Sequence, residues 1–126
     1  MKLKLVEGLP FVGVSILFQG RKTWLEAVLL DTGSAGTILA ADRLAEIGLT
    51  YAPDDEVHRI RGVGGVEFVF TKRVDLLSVG ELNVNNFTIE VGAMDYGFSI
   101  DGILGMDFLT SIGAIIDLDM MEIRTQ

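Results

Sequence analysis

Short apolar runs with a period of two, separated by glycine-containing turns, dominate this sequence of 126 residues. Such alternation is typical of strands that bury one face. The first two runs, residues 11–18 and 23–30, flank Gln19-Gly20-Arg21-Lys22, which predicts a hairpin. Residues 1–5 alternate charged and apolar side chains and are predicted to form the first strand. Further runs predicted as strands are 57–60, 66–70, 73–79, 82–91, 114–118 and 121–124.

Two segments have the apolar spacing of a helix. Residues 40–47 end at Gly48 and residues 106–112 end at Gly113, and a glycine is a common residue just after a helix. Many short strands with two short helices predict an all-β barrel or sandwich. The length suits one domain over residues 1–126, with no repeat or linker.

Composition narrows the classes of function. The net charge of −8 argues against a nucleic-acid partner, because phosphate contacts need clustered Lys and Arg. No apolar segment is long enough to predict a membrane span. The absence of cysteine excludes disulfides and thiolate metal sites, and the N-terminus does not resemble a signal peptide. We therefore expect a cytoplasmic location. The basic residues Arg59, Arg61, Lys72 and Arg73 are interrupted by Glu56 and Glu67 and are typical of a solvated strand face.

The tetrapeptide Asp31-Thr32-Gly33-Ser34 directly follows the apolar run 27–30. A carboxylate at the end of a buried strand costs stability and usually persists because it takes part in chemistry. Asp, Gly and Ser are also the commonest residues of turns, so a plain turn is the alternative interpretation.

Asp31 is the candidate catalytic residue. Peptide hydrolysis needs one group to remove a proton from water and another to polarise the carbonyl. Two adjacent carboxyls that share a proton do both, because like charges so close cannot both be ionised. The tetrapeptide occurs once, so a second copy of the chain is the natural source of the other carboxyl. We expect the Gly33 N–H and the Ser34 hydroxyl to donate to Asp31, and Thr32 to link the two turns.

Two further segments are compatible with such a turn. In Asp101-Gly102-Ile103-Leu104-Gly105, the apolar pair can pack beneath the turn and Gly105 gives room for close backbone approach, although any strand-to-helix corner could have this pattern. Arg61-Gly62-Val63-Gly64-Gly65 has three glycines at a predicted hairpin tip, as expected of a mobile cover over a bound peptide. A phosphate-binding loop is the alternative, but no Lys-Ser/Thr pair follows these glycines.

Together, in this order, the three segments resemble the aspartic proteases, particularly the single-domain retroviral-type (retropepsin-like) branch. Residues 29–39 are similar to the active-site strand and turn, residues 60–65 to the flap, and residues 103–113 to the supporting segment and its helix. The resemblance extends from about residue 11 to residue 118. It implies a closed β-barrel-like half-enzyme with one or two short helices, acting on peptides or proteins without a cofactor or metal.

The resemblance also implies a homodimeric endopeptidase in which one Asp31 from each subunit activates water. By position, Thr32, Gly33 and Ser34 support the catalytic turn. The implied flap is Arg61, Gly62, Val63, Gly64 and Gly65, and the implied structural support is Ile103, Leu104 and Gly105. Retroviral dimers are commonly sealed by interleaved termini, and residues 1–7 and 121–126 are the candidates here.

Three alternatives remain at this stage. A non-catalytic module of the same fold, which serves for dimerisation or binds peptides or proteins without hydrolysis, is the rival function. Asp95-Tyr96-Gly97 is the other Asp-x-Gly in the chain, but it lacks the threonine expected of an internal second half. His58, the sole histidine, lies near acidic residues but is more typical of a solvated side chain than of a metal ligand.

Overall fold

A computed structural model describes residues 1–62, 65–94 and 99–126. The strands in these residues are β1 (Lys4–Val6), β2 (Leu9–Phe18), β3 (Arg21–Leu30), β4 (Ile38–Ala40), β5 (Val57–Gly62), β6 (Gly65–Val79), β7 (Leu82–Gly92), β8 (Gly102–Leu104), β9 (Ile115–Asp117) and β10 (Glu122–Arg124). The helices are α1 (Ala41–Leu44), which continues as a 3-10 turn over Ala45–Ile47, and α2 (Met106–Ser111).

Six strands close into a barrel. Their hydrogen-bonded order is β2-β3-β8-β4-β7-β6, and β6 returns to β2 where Ser15–Leu17 pairs with Leu76–Ser78. β1 continues the sheet beyond β2, and β5 continues it beyond β6. The prediction of an all-β, closed barrel-like fold with short helices is confirmed.

The barrel interior contains the apolar side chains that alternate along the strands. Fully buried members include Val14, Ile16, Leu25, Val28, Leu39, Val74, Leu77, Ile89, Val91 and Leu104. Helix α2 covers one opening, where the buried ring of Phe108 meets Phe87 edge to face at a centroid distance of 5.8 Å. Burial of a side chain of this size contributes about 2–3 kcal/mol.

Both predicted helical segments are present, and each is followed by a left-handed glycine. Gly48 has φ +78° and Gly113 has φ +62°, which explains the choice of residue at these two ends.

The strand predictions differ from the structure at β6, and they also lack β4 and β8. Residues 66–70 and 73–79 were predicted as two runs, whereas β6 is a single strand of 15 residues. Thr71 and Lys72 interrupt the apolar pattern without interrupting the backbone ladder, which pairs them with Glu90 and Ile89. Lys72 also forms a 2.8 Å ion pair with Asp55.

The two ends of the chain pair with each other. The Met1 amino group donates to the Ile123 carbonyl oxygen at 3.1 Å, and the Ile123 N–H donates to the Met1 carbonyl oxygen at 2.9 Å. The Leu3 N–H donates to the Met121 carbonyl oxygen at 2.9 Å. β10 therefore lies between the N-terminal segment and β9. Segments that were candidates for interleaving between two subunits are thus joined within one.

Candidate active site

Asp31 directly follows β3, at the end of a parallel pair of strands. Leu29 and Leu30 pair with Ile103 and Leu104 of β8, and the Asp31 N–H donates to the Leu104 carbonyl at 3.0 Å. Ile103 and Leu104 therefore lie beside the strand that carries the turn, the position expected for structural support.

The turn places backbone donors around Asp31. The Gly33 N–H donates to Asp31 Oδ1 at 2.9 Å, as expected, and the Ser34 N–H donates to the Asp31 carbonyl at 3.2 Å. Asp31 is partly exposed, so its carboxylate remains accessible to a ligand.

The expected contact of the Ser34 hydroxyl with Asp31 was wrong. Ser34 Oγ donates to the Gly36 carbonyl at 2.8 Å instead. A serine hydroxyl readily bonds to backbone two residues away, and this local acceptor lies in the same loop. Thr32 is exposed at the tip of the turn, and its proposed contact with a second subunit stays a prediction.

Gly105 lies where two backbone segments cross. A Cβ at this position would overlap the Gly36 carbonyl oxygen and would lie 2.9 Å from the carbonyl oxygen of Ser34. Just beyond it, the Met106 N–H donates to the Ser34 carbonyl at 2.8 Å and the Asp107 N–H donates to Ala35 at 3.1 Å. The absence of a side chain at Gly105 therefore lets the start of α2 bind directly to the loop that carries Asp31.

Thr37 and Asp107 form a polar network that the sequence analysis missed. The fully buried Thr37 donates its hydroxyl to Asp107 Oδ1 at 2.8 Å and its N–H to Oδ2 at 3.2 Å. Its hydroxyl oxygen also accepts the Gly105 N–H at 3.1 Å, and Asp107 Oδ1 accepts the Phe108 N–H at 2.8 Å. The network fixes the active-site loop to the first turn of α2.

A second network ties the base of β8 to β3. Asp101 accepts hydrogen bonds from Arg43 at 2.9 Å and from the Ala27 N–H at 3.0 Å. Arg43 also donates to the Trp24 carbonyl at 2.9 Å. These contacts hold α1 against the strands that lead to the candidate site.

The flap candidates lie on the β5–β6 hairpin. Arg61 pairs with Val66 and Gly62 with Gly65, while Val63 and Gly64 lie outside the described residues. The segment Asp95-Tyr96-Gly97 also lies outside them.

Several cavities border the turn or the strand before it, and three of them bear on the candidate site. One of about 340 Å³ lies between residues 34–36 and His58 and Arg59 of β5. One of about 670 Å³ runs along β3, with Val6, Leu9, Phe11 and Ala27 in its lining. A third, of about 380 Å³, extends from Thr32 along α2 to Ile116 of β9.

Within the described residues, no group of three or more His, Cys, Asp or Glu side chains is arranged to hold a metal ion. His58 is exposed and lies 3.7 Å from Glu56. In the same residues, no helix has both the length and the apolar character needed to cross a membrane.

Comparison with known proteins agrees with this geometry. A family model described as aspartyl protease matches residues 14–108, which include the Asp31 turn, the β5–β6 hairpin and the Ile103-Leu104-Gly105 segment. A search of curated proteins finds no significant match. The matched region spans most of the chain and coincides with the barrel and its candidate site. The chain therefore belongs to the aspartyl protease family, with the single-domain retropepsin-like fold.

Proposed function

We propose that this protein is a homodimeric aspartic endopeptidase in which the Asp31 carboxyls of two subunits share one proton and one water. The observation that carries the proposal is the Asp31 turn itself. An accessible carboxylate sits at the end of a barrel strand and is oriented by the Gly33 N–H at 2.9 Å. In an aspartyl protease, a carboxylate held this way is suited to act on water.

The second carboxyl must come from another chain in this proposal, because Asp-Thr-Gly-Ser occurs once. We take residues 1–126 as a single domain that supplies half of the site. β9 is hydrogen-bonded to β10 on one side, and no described strand pairs with its other edge. The cavity from Thr32 to Ile116 connects this edge to the turn. A two-fold axis beside β9 would therefore pair two edges and bring two Asp31 turns together.

In this mechanism the ionised carboxyl removes a proton from the bound water while the protonated one donates to the substrate carbonyl oxygen. The water attacks the carbonyl carbon and forms a tetrahedral intermediate. A proton then passes to the leaving nitrogen, the C–N bond breaks, and the pair of carboxyls again shares one proton. The Gly33 N–H stabilises the ionised form throughout.

We expect the substrate to bind as an extended strand between the two turns and the flaps, Arg61–Gly65 of each subunit. Backbone hydrogen bonds would hold it, and alternate side chains would enter the cavities on either side. The cavity along β3 is lined mainly by apolar surface, with Lys4, Glu7 and Glu26 also in its lining, and the apolar part suits apolar substrate side chains.

The test is cleavage of a peptide library by the wild type and by Asp31→Asn. We expect the substitution to abolish cleavage while leaving the fold and the dimer intact. Asp54→Asn, at an exposed loop residue, removes an equal charge and should leave cleavage unchanged. Continued hydrolysis by Asp31→Asn would reject the mechanism. Peptide binding with no cleavage by the wild type would favour the rival function, a binding module.

A further inference from the structure

The cavity of about 340 Å³ beside the Asp31 turn has a charged wall that the proposed mechanism does not use. Its lining combines Ser34, Ala35 and Gly36 of the active-site loop with Arg59 of β5 and Glu90 of β7. Because Ser34 belongs to the same turn as Asp31, a substrate side chain close to the scissile bond would lie in this space.

Glu90 is fixed against the active-site loop. Its N–H donates to the Thr37 carbonyl at 2.9 Å, and it pairs with Ile38 in the parallel register of β4 and β7. A Cβ at Gly36 would lie only 2.9 Å from Glu90 Oε1. The carboxylate thus occupies the space that a side chain at residue 36 would need.

No described group forms a hydrogen bond or an ion pair with the Glu90 carboxylate. Among the residues whose side chains are described, which exclude 60–67 and 95–98, none donates a hydrogen bond to its carboxylate, and no Lys, Arg or His nitrogen lies within 4.0 Å of it. Thr71 lies directly opposite Glu90 in the β6–β7 ladder, and its buried hydroxyl has no hydrogen-bond partner among the described residues. Side chains opposed in this way have Cβ atoms about 5 Å apart. The half-buried Glu90 carboxylate, which lines the cavity, therefore lies next to a second polar group, the Thr71 hydroxyl behind the wall, that has no described partner.

The basic side chains around the cavity do not neutralise the charge of the Glu90 carboxylate. Arg59 and His58 are both exposed on β5, and His58 lies 3.7 Å from Glu56. Water and salt screen exposed charges more strongly than a half-buried carboxylate. Among the described side chains that line the cavity, the half-buried charge without an ion pair is that of Glu90.

We propose that this cavity is a substrate subsite in which Glu90 selects a cationic side chain, Lys or Arg, close to the scissile bond. An ammonium or guanidinium group would supply the charged hydrogen-bond donor that Glu90 lacks. The inference rests on the proposed peptidase function and adds a substrate class to it.

The experiment uses the protein of residues 1–126 and peptides that carry Lys, norleucine or Glu at each position around a cleavage site. At one position we expect kcat/KM for Lys to exceed that for norleucine about tenfold, since hydrogen bonds to charged groups contribute about 1.5 kcal/mol or more. Glu90→Gln should reduce this ratio to about one, and Glu90→Lys should reverse the preference towards Glu. Glu81→Gln removes the same charge from an exposed turn and should retain the wild-type ratio.

A measurement of peptide binding tests the Glu90 subsite independently of the proposed peptidase activity. Fluorescence anisotropy with the same peptides is measured on the wild type and on Asp31→Asn, each with and without Glu90→Gln. A lysine preference in binding that Glu90→Gln removes supports the subsite even if no peptide is cleaved. Cleavage without such a preference at any position overturns the subsite and leaves the peptidase proposal standing. Failure of every peptide both to bind and to be cleaved overturns both.

Discussion

At the scale of single residues, the site depends on contacts between two segments far apart in the chain. Thr37 and Asp107 are 70 positions apart, yet their side chains and main chains form a closed network beneath the Asp31 loop. Buried polar groups of this kind are costly to leave without partners, because the lost hydrogen bonds cannot be replaced by water.

Asp107→Ala removes the acceptor for three donors: the Thr37 hydroxyl, the Thr37 N–H and the Phe108 N–H. We expect the free energy of unfolding to fall by about 2–3 kcal/mol in urea titration, and peptidase activity to fall with it. Asp107→Asn keeps one acceptor oxygen and should cost less. Asp42→Ala, at an exposed position in the first turn of α1, is the matched control and should cost under about 1 kcal/mol. Equal losses for the Asp42 and Asp107 variants would show that the network is not important for stability.

Gly105→Ala tests the crossing of backbone segments under the turn. The added Cβ would overlap the Gly36 carbonyl oxygen, which is main chain and cannot rotate away. We expect a loss of about 3 kcal/mol or more in thermal or urea unfolding. Gly113→Ala has open space but a φ of +62°, so its cost should be limited to about 1 kcal/mol. A Gly105→Ala protein as stable as Gly113→Ala would contradict the described packing.

The sequence predicted some of these residues and missed others for physical reasons. The Asp31 turn and the Ile103-Leu104-Gly105 segment have local patterns, glycines next to paired aliphatic residues, that indicate close backbone approach. Thr37 and Asp107 have no such pattern, because their pairing arises only when the chain folds. The hydroxyl of Ser34 was assigned the wrong acceptor, because its loop offers the Gly36 carbonyl at 2.8 Å.

At the scale of elements, an ion pair helps to attach the loop after α1 to the barrel. Lys72 of β6 contacts Asp55 at 2.8 Å, and the Ala52 N–H donates to the same carboxylate at 2.7 Å. The Asp55 N–H in turn donates to the Ala52 carbonyl at 2.9 Å. The Asp55 carboxylate therefore stabilises the turn from Ala52 to Asp55 and attaches this loop to β6.

These contacts make the stability of the loop depend on pH. The hydrogen bond from Lys72, followed by that from the Ala52 N–H, lowers the pKa of Asp55 below its ordinary value of 3.8. A carboxyl with a lower pKa in the folded state stabilises the fold above its unfolded pKa, and this stabilisation is lost as the pH falls through the folded pKa. We expect Asp55→Asn to lower the melting temperature at about pH 7 more than at about pH 2. The difference between the melting temperatures at these two pH values should therefore be smaller in the variant than in the wild type. Asp54→Asn should leave that difference unchanged, and an equal narrowing in both variants would contradict the assignment.

Elements that lie within an alternating or apolar run were predictable, whereas β4 and β8 were not predicted as strands. The β2–β3 and β5–β6 hairpins and both helical segments follow from alternation and glycine positions. β4 was not predicted, because its three residues run directly from the active-site loop into α1, whereas the equally short β9 lies within the longer apolar run 114–118. β8, equally short, was described only as a segment under the turn, although its parallel pairing with β3 supports Asp31.

At the scale of the whole molecule, the proposed dimer needs a surface other than free termini. The N-terminal segment and β10 are already paired within one chain, so the proposed two-fold contact uses the outer edge of β9. The single Asp31 turn in the sequence led to the prediction of a dimer. The sequence could not indicate the proposed contact at the outer edge of β9, because that edge depends on how the terminal segments pair.

Ile116→Lys places a charge on the proposed edge, next to the cavity that leads to Thr32. Because two lysines would meet across the two-fold axis, we expect sedimentation velocity to show a monomer at concentrations where the wild type is a dimer, with cleavage lost in parallel. Asn85→Lys adds the same charge at an exposed position of β7 and should leave the dimer intact. A dimeric, active Ile116→Lys protein would place the interface elsewhere.

The most direct test of the central claim is the activity of mixed dimers. Wild type at a fixed concentration is unfolded and refolded with increasing amounts of Asp31→Asn, and cleavage is measured. If each active site needs Asp31 from two chains, an equal amount of the variant should reduce activity to about one half, and a threefold excess to about one quarter. Activity that stays at the wild-type level at every ratio would show that one chain cleaves on its own and would contradict the account.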